Sequence, residues 1–449
     1  MKRGKQQTWK GDMRESSASP PIASRQTHRF TNVDQWKGGK GFVFSLVTVY
    51  LFLDLVRPSF VWHFPKVIST ILLVAWIVKP NKIWPPPTAW FFVFLGVMGI
   101  DILIAKNTFD AVWFTYGMTV MLVGICIPLI NFTDSLQKLR HIVNALLAIF
   151  LYIAVFALMN QGFGPAGGKG GQDENYVAAA MNLAIPLAGF SFFAERAKWK
   201  KVCFAVLVAL YLGAIVIGLS RGGFVGLLCG LGYSFVKTPR KGVAILSVVF
   251  VACFLLVIAG PTYWEEMRTI TDTSEGTADM RLELWKIAVE EFLAYPLTGV
   301  GGGNYRWLMN EFESPEQLEK YGRILVAEVH STYFELLAEL GLAGCIAFGF
   351  VLFHTYRNYK NVERISSQYF LALRSEQGSR AEEDLRWIQA YGRGLMGGYI
   401  AYLASIAFLS SLYYSHTWIP AAIMAALYLI AVERVKQQDC QACQVENRK

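Results

Sequence analysis

The sequence predicts an all-α polytopic membrane protein with about twelve transmembrane helices. Of its 449 residues, 54% are hydrophobic, 14% are aromatic and only 17% are charged, whereas soluble domains carry roughly 25% charged residues. The apolar residues also fall in long runs, and a helix that crosses a bilayer needs about 20 of them. The net charge of +9 lies largely in short segments between the runs. Together these observations exclude a soluble globular enzyme, a disordered chain and a nucleic-acid-binding domain.

Twelve apolar runs have the length and composition of a transmembrane helix. The second and the eighth are the weakest, because they are short or contain glycine and polar residues. The predicted spans are 41–57, 61–78, 88–105, 110–130, 142–159, 176–193, 202–218, 223–236, 242–260, 331–353, 394–412 and 416–432.

The distribution of Lys and Arg predicts the orientation of these spans. The first 40 residues are polar and basic without an apolar core, so they are not a cleavable signal peptide. With the N-terminus in the cytoplasm, 31 of the 42 Lys and Arg residues lie on the cytoplasmic side, as the positive-inside rule requires. The predicted organisation is a cytoplasmic basic tail at 1–40, spans one to nine at 41–260, a large periplasmic loop at 261–330, spans ten to twelve at 331–432 with a cytoplasmic loop at 354–393, and a cytoplasmic tail at 433–449.

The long periplasmic loop is predicted to be partly helical, over Met280–Ala294. Asp279 is the expected N-cap and Pro296 the expected stop, which places Arg281 in the first turn. A helix N-terminus with an added Arg suits a phosphate, although the same Arg also suits contact with lipid headgroups or with the loop itself. The apolar face is predicted to consist of residues at helical spacing: Leu282, Trp285, Val289 and Phe292.

Two other residues beside the outer face are chemical candidates. Arg221 lies in a short turn between two spans, where a cation opposes the positive-inside bias, and its planar fork of donors suits phosphate oxygens. His330 lies at the membrane boundary, where a neutral imidazole can accept a proton from a hydroxyl or simply bind backbone. Glu335 and Glu339 follow on a different face of the same span, so we interpret them as partners of Arg or as structural residues.

Glycine-rich segments and absent motifs narrow the chemistry further. Gly299–Tyr305 does not fit GxGxxG and follows a predicted helix, so it is not a dinucleotide site. Asn160–Tyr176 is polar and glycine-rich, a composition that fits either a linker or a binding loop. The chain contains no DxD pair to hold a metal–nucleotide, no GxxxxGK[ST] and no HExxH. It has one CxxC pair, at Cys440 and Cys443, without the second pair of a zinc site. We therefore expect neither a metal nor another cofactor.

Taken together, the ordered motifs resemble the O-antigen ligase and polymerase superfamily. The similarity covers roughly residues 160–352. The matching segments are GQDENYVAAAMNLAIP at Gly171–Pro186, SRGG at Ser220–Gly223, Arg281 with Trp285, PxxGVGxGN at Pro296–Asn304, and HSxYxxxLxExGxxG at His330–Gly344.

The resemblance implies glycan transfer on the periplasmic face of a bacterial inner membrane. The donor would be a glycan on undecaprenyl diphosphate, and the acceptor a hydroxyl of lipid A–core or of another glycan, lipid or protein. The implied mechanism is inverting and metal-independent. Arg221 and Arg281 would neutralise the diphosphate and His330 would orient or deprotonate the acceptor hydroxyl. The implied substrate-binding residues are Asn175, Gly301, Gly303, Asn304 and Ser331.

The motifs leave the exact reaction open. A ligase that moves a finished glycan, a polymerase that extends lipid-linked repeats, including those of an exopolysaccharide, and an O-linked protein glycosylation enzyme all fit them. A small-anion transporter is the alternative from another class. The absence of an internal repeat, the scarcity of charge within the spans and the 70-residue loop argue against it.

Overall fold

A computed structural model describes residues 40–58, 64–165, 173–239, 241–268, 276–322, 327–372 and 380–446. These residues are helical and contain no strand. The α-helices are α1 Lys40–Val56, α2 Phe64–Ile77, α3 Pro86–Asp101, α4 Thr108–Phe132, α5 Leu136–Met159, α6 Glu174–Ala194, α7 Lys198–Ile217, α8 Arg221–Lys237, α9 Lys241–Ile258, α10 Pro261–Arg268, α11 Gly276–Ala294, α12 Tyr305–Leu308, α13 Pro315–Tyr321, α14 Thr332–Ala372, α15 Arg380–Ser405 and α16 Ser415–Glu446.

The predicted all-α polytopic membrane fold is confirmed. Each of the twelve predicted spans falls on a helix of the structure. Within the described residues, seven helices are long and apolar enough to cross a membrane, namely α4–α7, α9, α14 and α16. Helices α1, α2 and α3 are apolar but shorter, so the number twelve stays a prediction. The predicted tail at 1–40 precedes the described residues almost entirely.

The centre of the bundle is formed by α6, α8 and α15, which pack closely through small residues. A Cβ atom on Gly398 of α15 would lie 2.2 Å from the carbonyl oxygen of Leu183 in α6. The side-chain amide of Asn182 joins all three helices, since it donates to Gly223 O and to Ser405 Oγ, each at 2.8 Å. Close packing of small residues with buried hydrogen bonds is the usual way in which helices associate within a bilayer.

The predicted periplasmic loop at 261–330, called the outer loop below, contains helices α10–α13. Two details of the helix predicted at Met280–Ala294 are wrong. Helix α11 begins at Gly276 rather than after Asp279, so Asp279 lies in its first turn and Arg281 in the second. An acidic residue is stabilised anywhere in a first turn, so it does not mark the N-cap uniquely. The buried face is also a different one, because small Ala288 lets α11 pack closely on α14: it consists of Leu284, Ile287, Ala288 and Glu291.

Glu291 is the unexpected member of that face, because a carboxylic acid lies there among apolar residues. It is fully buried, and neither carboxyl oxygen has a hydrogen-bond partner in the described part of the chain. Burial, with the nearby Glu339 and Glu311, raises the pKa of Glu291 to about 10. The side chain is therefore a neutral acid at physiological pH, which lowers the cost of burying it.

Helix α14 is broken at Gly341, and the segment after α11 docks into the break. Gly341 has φ +55°, and a Cβ atom there would lie 2.7 Å from the backbone nitrogen of Gly299. Gly299 itself has φ +76°, and its own Cβ would meet the backbone of Glu339 at 2.4 Å. Four backbone hydrogen bonds of 2.9–3.0 Å join the two segments: Val300 N to Ala338 O, Gly301 N to Glu339 O, Leu342 N to Pro296 O, and Ala343 N to Leu297 O. The outer loop is thus attached to a transmembrane helix by main-chain contacts.

Two helices extend beyond the apolar runs that predicted them. Helix α14 continues to Ala372 and α15 begins at Arg380, so most of the charged segment 354–393 is helical. Arg393 of α15 and Glu363 of α14 form a two-contact ion pair there, at 3.0 and 3.3 Å. Conversely, the helix in the predicted span 394–412 ends before the span does, because the backbone becomes extended at Leu409.

Candidate functional site

The turn at residues 409–414, between α15 and α16, lies among the ends of several helices that carry predicted site residues. Thr332 Oγ1 at the start of α14 donates to Leu409 O at 2.7 Å and accepts from Ser411 N at 2.8 Å. The hydroxyl of Tyr176, at the start of α6, donates to the carbonyl between those two residues at 2.5 Å. The 409–414 turn therefore fixes the starts of α6 and α14 relative to each other.

His330 lies just before α14 in a constrained backbone conformation. Its φ is +53°, a left-handed value that is uncommon outside glycine but less so for histidine. Trp285 of α11 supports this segment, because its indole Nε1 donates to the carbonyl of Val329 at 3.1 Å. The same indole stacks on Phe334 of α14, with ring centroids 5.0 Å apart. The imidazole is thus presented by a segment that is attached to two helices.

The surroundings of His330 keep it neutral. Burial lowers the pKa of the half-buried imidazole below its ordinary 6.5, and the positive charge of Arg281 lowers it further, against an opposing effect of Asp173. A neutral imidazole near physiological pH is able to accept a proton. Arg281, half-buried in the second turn of α11, is therefore brought together with His330.

Arg221 is the first residue of α8, so the combination of Arg and a helix N-terminus occurs here rather than at Arg281. Ser220 is the N-cap, and its Oγ accepts from Gly223 N at 3.0 Å. Arg221 Nε lies 3.3 Å from Glu266 Oε1 in α10, an acidic partner outside the sequence-based interpretation. Leu219, immediately before the cap, has φ +49°. The Arg221 guanidinium is thus oriented by a carboxylate at the N-terminal, positive end of a helix.

Asn175 is coupled directly to this cap. Its Oδ1 accepts from the hydroxyl of Ser220 at 2.8 Å, so the starts of α6 and α8 are joined side chain to side chain. Asp173 caps α6, since its Oδ1 accepts from the backbone N–H groups of Asn175 and Tyr176, both at 3.0 Å. Gln172, in the same polar loop, lies outside the described residues.

The approach of α8 to α11 is mediated by Phe408. A Cβ atom on Gly222 would lie 3.3 Å from the Cβ of Phe408. On its other side, the Phe408 ring is 6.3 Å from that of Trp285. Phe408 therefore lies between the helix start that carries Arg221 and the helix that carries Arg281.

The glycine-rich segment Gly299–Tyr305 is largely buried, and other segments of the protein hydrogen-bond to it. Gly301, Gly303 and Asn304 are buried, and the side chain of Asn304 accepts from Asn107 N at 2.7 Å and donates to its carbonyl at 3.3 Å. Glu339 accepts from Gly303 N at 2.8 Å. These polar groups are engaged within the protein.

Glu339 and Glu335 have neutral partners instead of the Arg partners that the sequence left open. Glu339 also accepts from Tyr305 N at 3.2 Å and from the hydroxyl of Tyr413 at 2.5 Å. Glu335 accepts from Leu412 N at 3.2 Å. These carboxylates were interpreted either as partners of Arg or as structural residues, and their hydrogen bonds favour the structural role.

Ser331 is almost completely buried directly after His330. Its carbonyl accepts from Glu335 N at 2.9 Å, so its backbone begins the α14 hydrogen-bond pattern. The structure thus brings His330, Arg281 and Ser331 together on one side, and Asn175 with Arg221 on the other. The 409–414 turn and Phe408 lie between the two groups.

One known protein family matches the part of the chain that contains most of these residues. The family model described as O-antigen ligase matches residues 204–349. This match supports the resemblance of residues 204–349 to the O-antigen ligase superfamily. No curated protein matches the chain.

The matched O-antigen ligase region contains Arg221, Arg281 and His330 but excludes two parts of the site. Asn175 precedes it, and the 409–414 turn follows it. The turn was missed in the sequence because residues 409–412 were counted as the end of the predicted span 394–412. The signal was present as a cluster of hydroxyl side chains at Ser410–Thr417 (SSLYYSHT) within an apolar run.

Proposed function

We propose that this protein transfers a glycan from undecaprenyl diphosphate to an acceptor hydroxyl, in the manner of an O-antigen ligase, the family that its residues 204–349 match. The reaction would take place on the periplasmic face of a bacterial inner membrane, and the acceptor would be lipid A–core or another surface glycan, lipid or protein. The observation that carries the proposal is the pairing of a neutral His330 with Arg281, opposite an Arg221 that begins a helix.

In the proposed reaction the acceptor hydroxyl oxygen attacks the anomeric carbon of the first sugar. The bond from that carbon to the diphosphate oxygen breaks, and undecaprenyl diphosphate leaves with its electron pair. His330 takes the hydroxyl proton, which its lowered pKa permits at neutral pH. A single displacement of this kind inverts the anomeric configuration.

The leaving diphosphate gains negative charge as the bond breaks. Arg221 and Arg281 are the cations proposed to stabilise it, and the N–H groups at the start of α8 add their positive dipole end. Glu266 holds Arg221 in place before the donor arrives. With two guanidinium groups and a helix N-terminus available, the reaction needs no metal ion.

The remaining predicted substrate-binding residues have different proposed roles. Asn175 and Ser220 are half-buried and buried neighbours beside Arg221, so we propose that Asn175 contacts the donor and Ser220 orients it. Because the polar groups of Gly301, Gly303 and Asn304 are engaged internally, we propose that they position the outer loop. Ser331 would fix the start of α14.

The lipid-linked glycan pool tests the proposal. In a strain that lacks the protein, a ligase defect leaves full-length polymer on undecaprenyl diphosphate. A polymerase defect leaves single repeats, which would favour the polymerase alternative. An unchanged pool in the deletion strain, with normal surface glycan and protein glycosylation, would contradict glycan transfer altogether.

A further inference from the structure

A third arginine lies at the same end of the bundle, outside the matched family region. Arg57 follows the last residue of α1 and has φ +48°. Its Nε donates to the carbonyl of Asp54 at 3.2 Å, which fixes the side chain back against the end of the helix. A left-handed backbone is unfavourable at a residue other than glycine, so the surrounding structure holds the backbone of Arg57 in this conformation.

Arg57 lies over an aromatic pair. Its guanidinium carbon is 4.5 Å from the ring centroid of Tyr414, within cation–π range. The Tyr414 ring is in turn 4.8 Å from that of Tyr176. All three side chains are half-buried, so solvent reaches them. We call these three residues the Arg57 platform.

Among the described residues, only the Nε of the Arg57 guanidinium has a protein acceptor. Within the described part of the chain, its terminal nitrogens have no hydrogen-bond partner and form no ion pair. The nearby carboxylate of Asp54 accepts from the hydroxyl of Ser415 instead. Arg221 differs in this respect, since Glu266 is its partner. A fixed, partly desolvated fork of donors is suited to two oxygens of one anion.

The platform is continuous with the candidate site. Tyr176 follows Asn175, which binds the N-cap of the helix that begins with Arg221. The hydroxyl of Tyr176 binds the 409–414 turn, which also binds Thr332, two residues after His330. The Arg57 platform is therefore linked to both groups of candidate residues by direct hydrogen bonds, through Asn175 and through the 409–414 turn.

We propose that the Arg57 platform is a third anion-binding subsite, which holds a phosphate of the lipid-linked diphosphate through Arg57. The exposed parts of the Tyr176 and Tyr414 rings lie beside that phosphate and pack against the apolar face of the sugar attached to it. This inference rests on the proposed function, and it adds Arg57 and Tyr414, which lie outside all of the recognised motifs. Arg57 makes the contact, and Tyr414 orients it.

Binding of undecaprenyl diphosphate without a glycan, to the full-length protein in nanodiscs, tests the phosphate contact directly. Losing charge-assisted hydrogen bonds costs about 1.5–3 kcal/mol, so Arg57→Gln is expected to raise the Kd about ten- to a hundredfold. Arg57→Lys should recover part of the loss, and Tyr414→Leu should weaken binding less than Arg57→Gln. Arg357→Gln is the matched control, because Arg357 is exposed in the distal part of α14. Thermal unfolding of each variant checks that it is folded.

The outcomes separate this inference from the proposed function. An unchanged Kd for undecaprenyl diphosphate in folded Arg57→Gln overturns the subsite. An unchanged Kd with a raised KM for the glycan-bearing donor also overturns the phosphate assignment, because it places the contact on an acidic sugar. If the wild-type protein binds undecaprenyl diphosphate but transfers no glycan, the proposed function fails while the binding measurement still decides the subsite.

Discussion

The two parts of α14 on either side of Gly341 use their side chains in different ways. In the first part, Thr332–Leu340, polar side chains bind the backbone of other segments. Thr332 binds both sides of the 409–414 turn, Glu335 accepts from Leu412 N, and Glu339 accepts from two N–H groups of the glycine-rich segment. These contacts hold loops in place at the candidate site.

The second part, Leu342–Ala372, behaves as an ordinary membrane helix that ends in a charged extension. Phe350 stacks on Trp90 of α3 with centroids 4.0 Å apart, and the hydroxyl of Thr355 binds a carbonyl of its own helix. Several large apolar side chains are exposed on it, as in a helix that faces lipid. Its side chains pack helices together and do not fix loops.

The difference shows that hydropathy alone does not separate a functional stretch from a packing stretch. One continuous apolar run, at residues 331–353, covers the first part and the beginning of the second. What separates them is buried polar groups paired with loop backbone, which are expensive within a membrane unless they are satisfied. Changes in the first part, or in residues bound to it, should therefore affect catalysis, whereas matched changes in the second part should not.

Two histidines give the largest expected contrast: His330, just before the first part of α14, and His354, in the second part. His330→Ala removes the proposed base, and a positioned base contributes about 10²–10⁴ in rate, so glycan transfer should fall by that factor. His354→Ala, in the second part of α14, should retain transfer. Initial rates with purified lipid-linked donor and acceptor measure both, and membrane insertion is checked by detergent extraction. Normal activity of His330→Ala would remove His330 from the mechanism.

The second-largest expected effect is the loss of activity when Arg221 or Arg281 is replaced by lysine. Arg221→Lys and Arg281→Lys retain the charge but lose the bidentate fork. Each should lower kcat/KM about ten- to a hundredfold, because charge-assisted hydrogen bonds contribute about 1.5–3 kcal/mol. Arg357→Lys, in the second part of α14, is the control and should behave as the wild type does. If Arg221→Lys and Arg281→Lys both retained activity, general positive charge would be the correct account.

The break at Gly341 sharpens the comparison within one helix. Gly341→Ala places a Cβ atom 2.7 Å from Gly299 N at a φ of +55°, so the docked segment has to shift. We expect a loss of about 1–3 kcal/mol in stability and a parallel loss of transfer. Gly349→Ala is the matched control, because nothing lies within 4 Å of its Cβ position. Thermal unfolding in nanodiscs should separate the two, and equal midpoints would contradict the docking role.

A smaller, purely kinetic effect is expected at Trp285. Trp285→Phe keeps a ring against Phe334 but loses the N–H that binds Val329 O beside His330. We expect kcat to fall several-fold while the donor KM stays constant, because the base is positioned less well. Trp307→Phe is the control, since the indole N–H of Trp307 binds Asp110 of α4 and not the segment before His330. A raised KM with unchanged kcat would assign Trp285 to donor binding.

Much of this architecture could be predicted from the sequence, and the reasons for the failures are physical. Apolar runs locate helices reliably. Arg221, Arg281 and His330 could be selected as candidates because they lie in the motifs that resemble the O-antigen ligase superfamily, and their roles stay predictions. The buried face of α11 could not be predicted, because two sets of residues at helical spacing compete and packing against Ala338 decides between them. The break at Gly341 and the role of Arg57 depend on contacts between segments distant in the chain, which spacing does not encode.

The smallest predicted effect concerns the charge facing His330. The negative charge of Asp173 raises the pKa of His330, against the lowering effects of burial and Arg281. Asp173→Asn keeps the Oδ1 acceptor that caps α6 but removes that charge. The pKa of His330 should therefore fall, and the acid limb of the kcat/KM profile should move to lower pH. Asp134→Asn, which alters an exposed pair with Lys138, should leave the limb in place. A shift of the Asp173→Asn limb to higher pH would contradict His330 as the titrating base, because removing a carboxylate cannot stabilise an imidazolium.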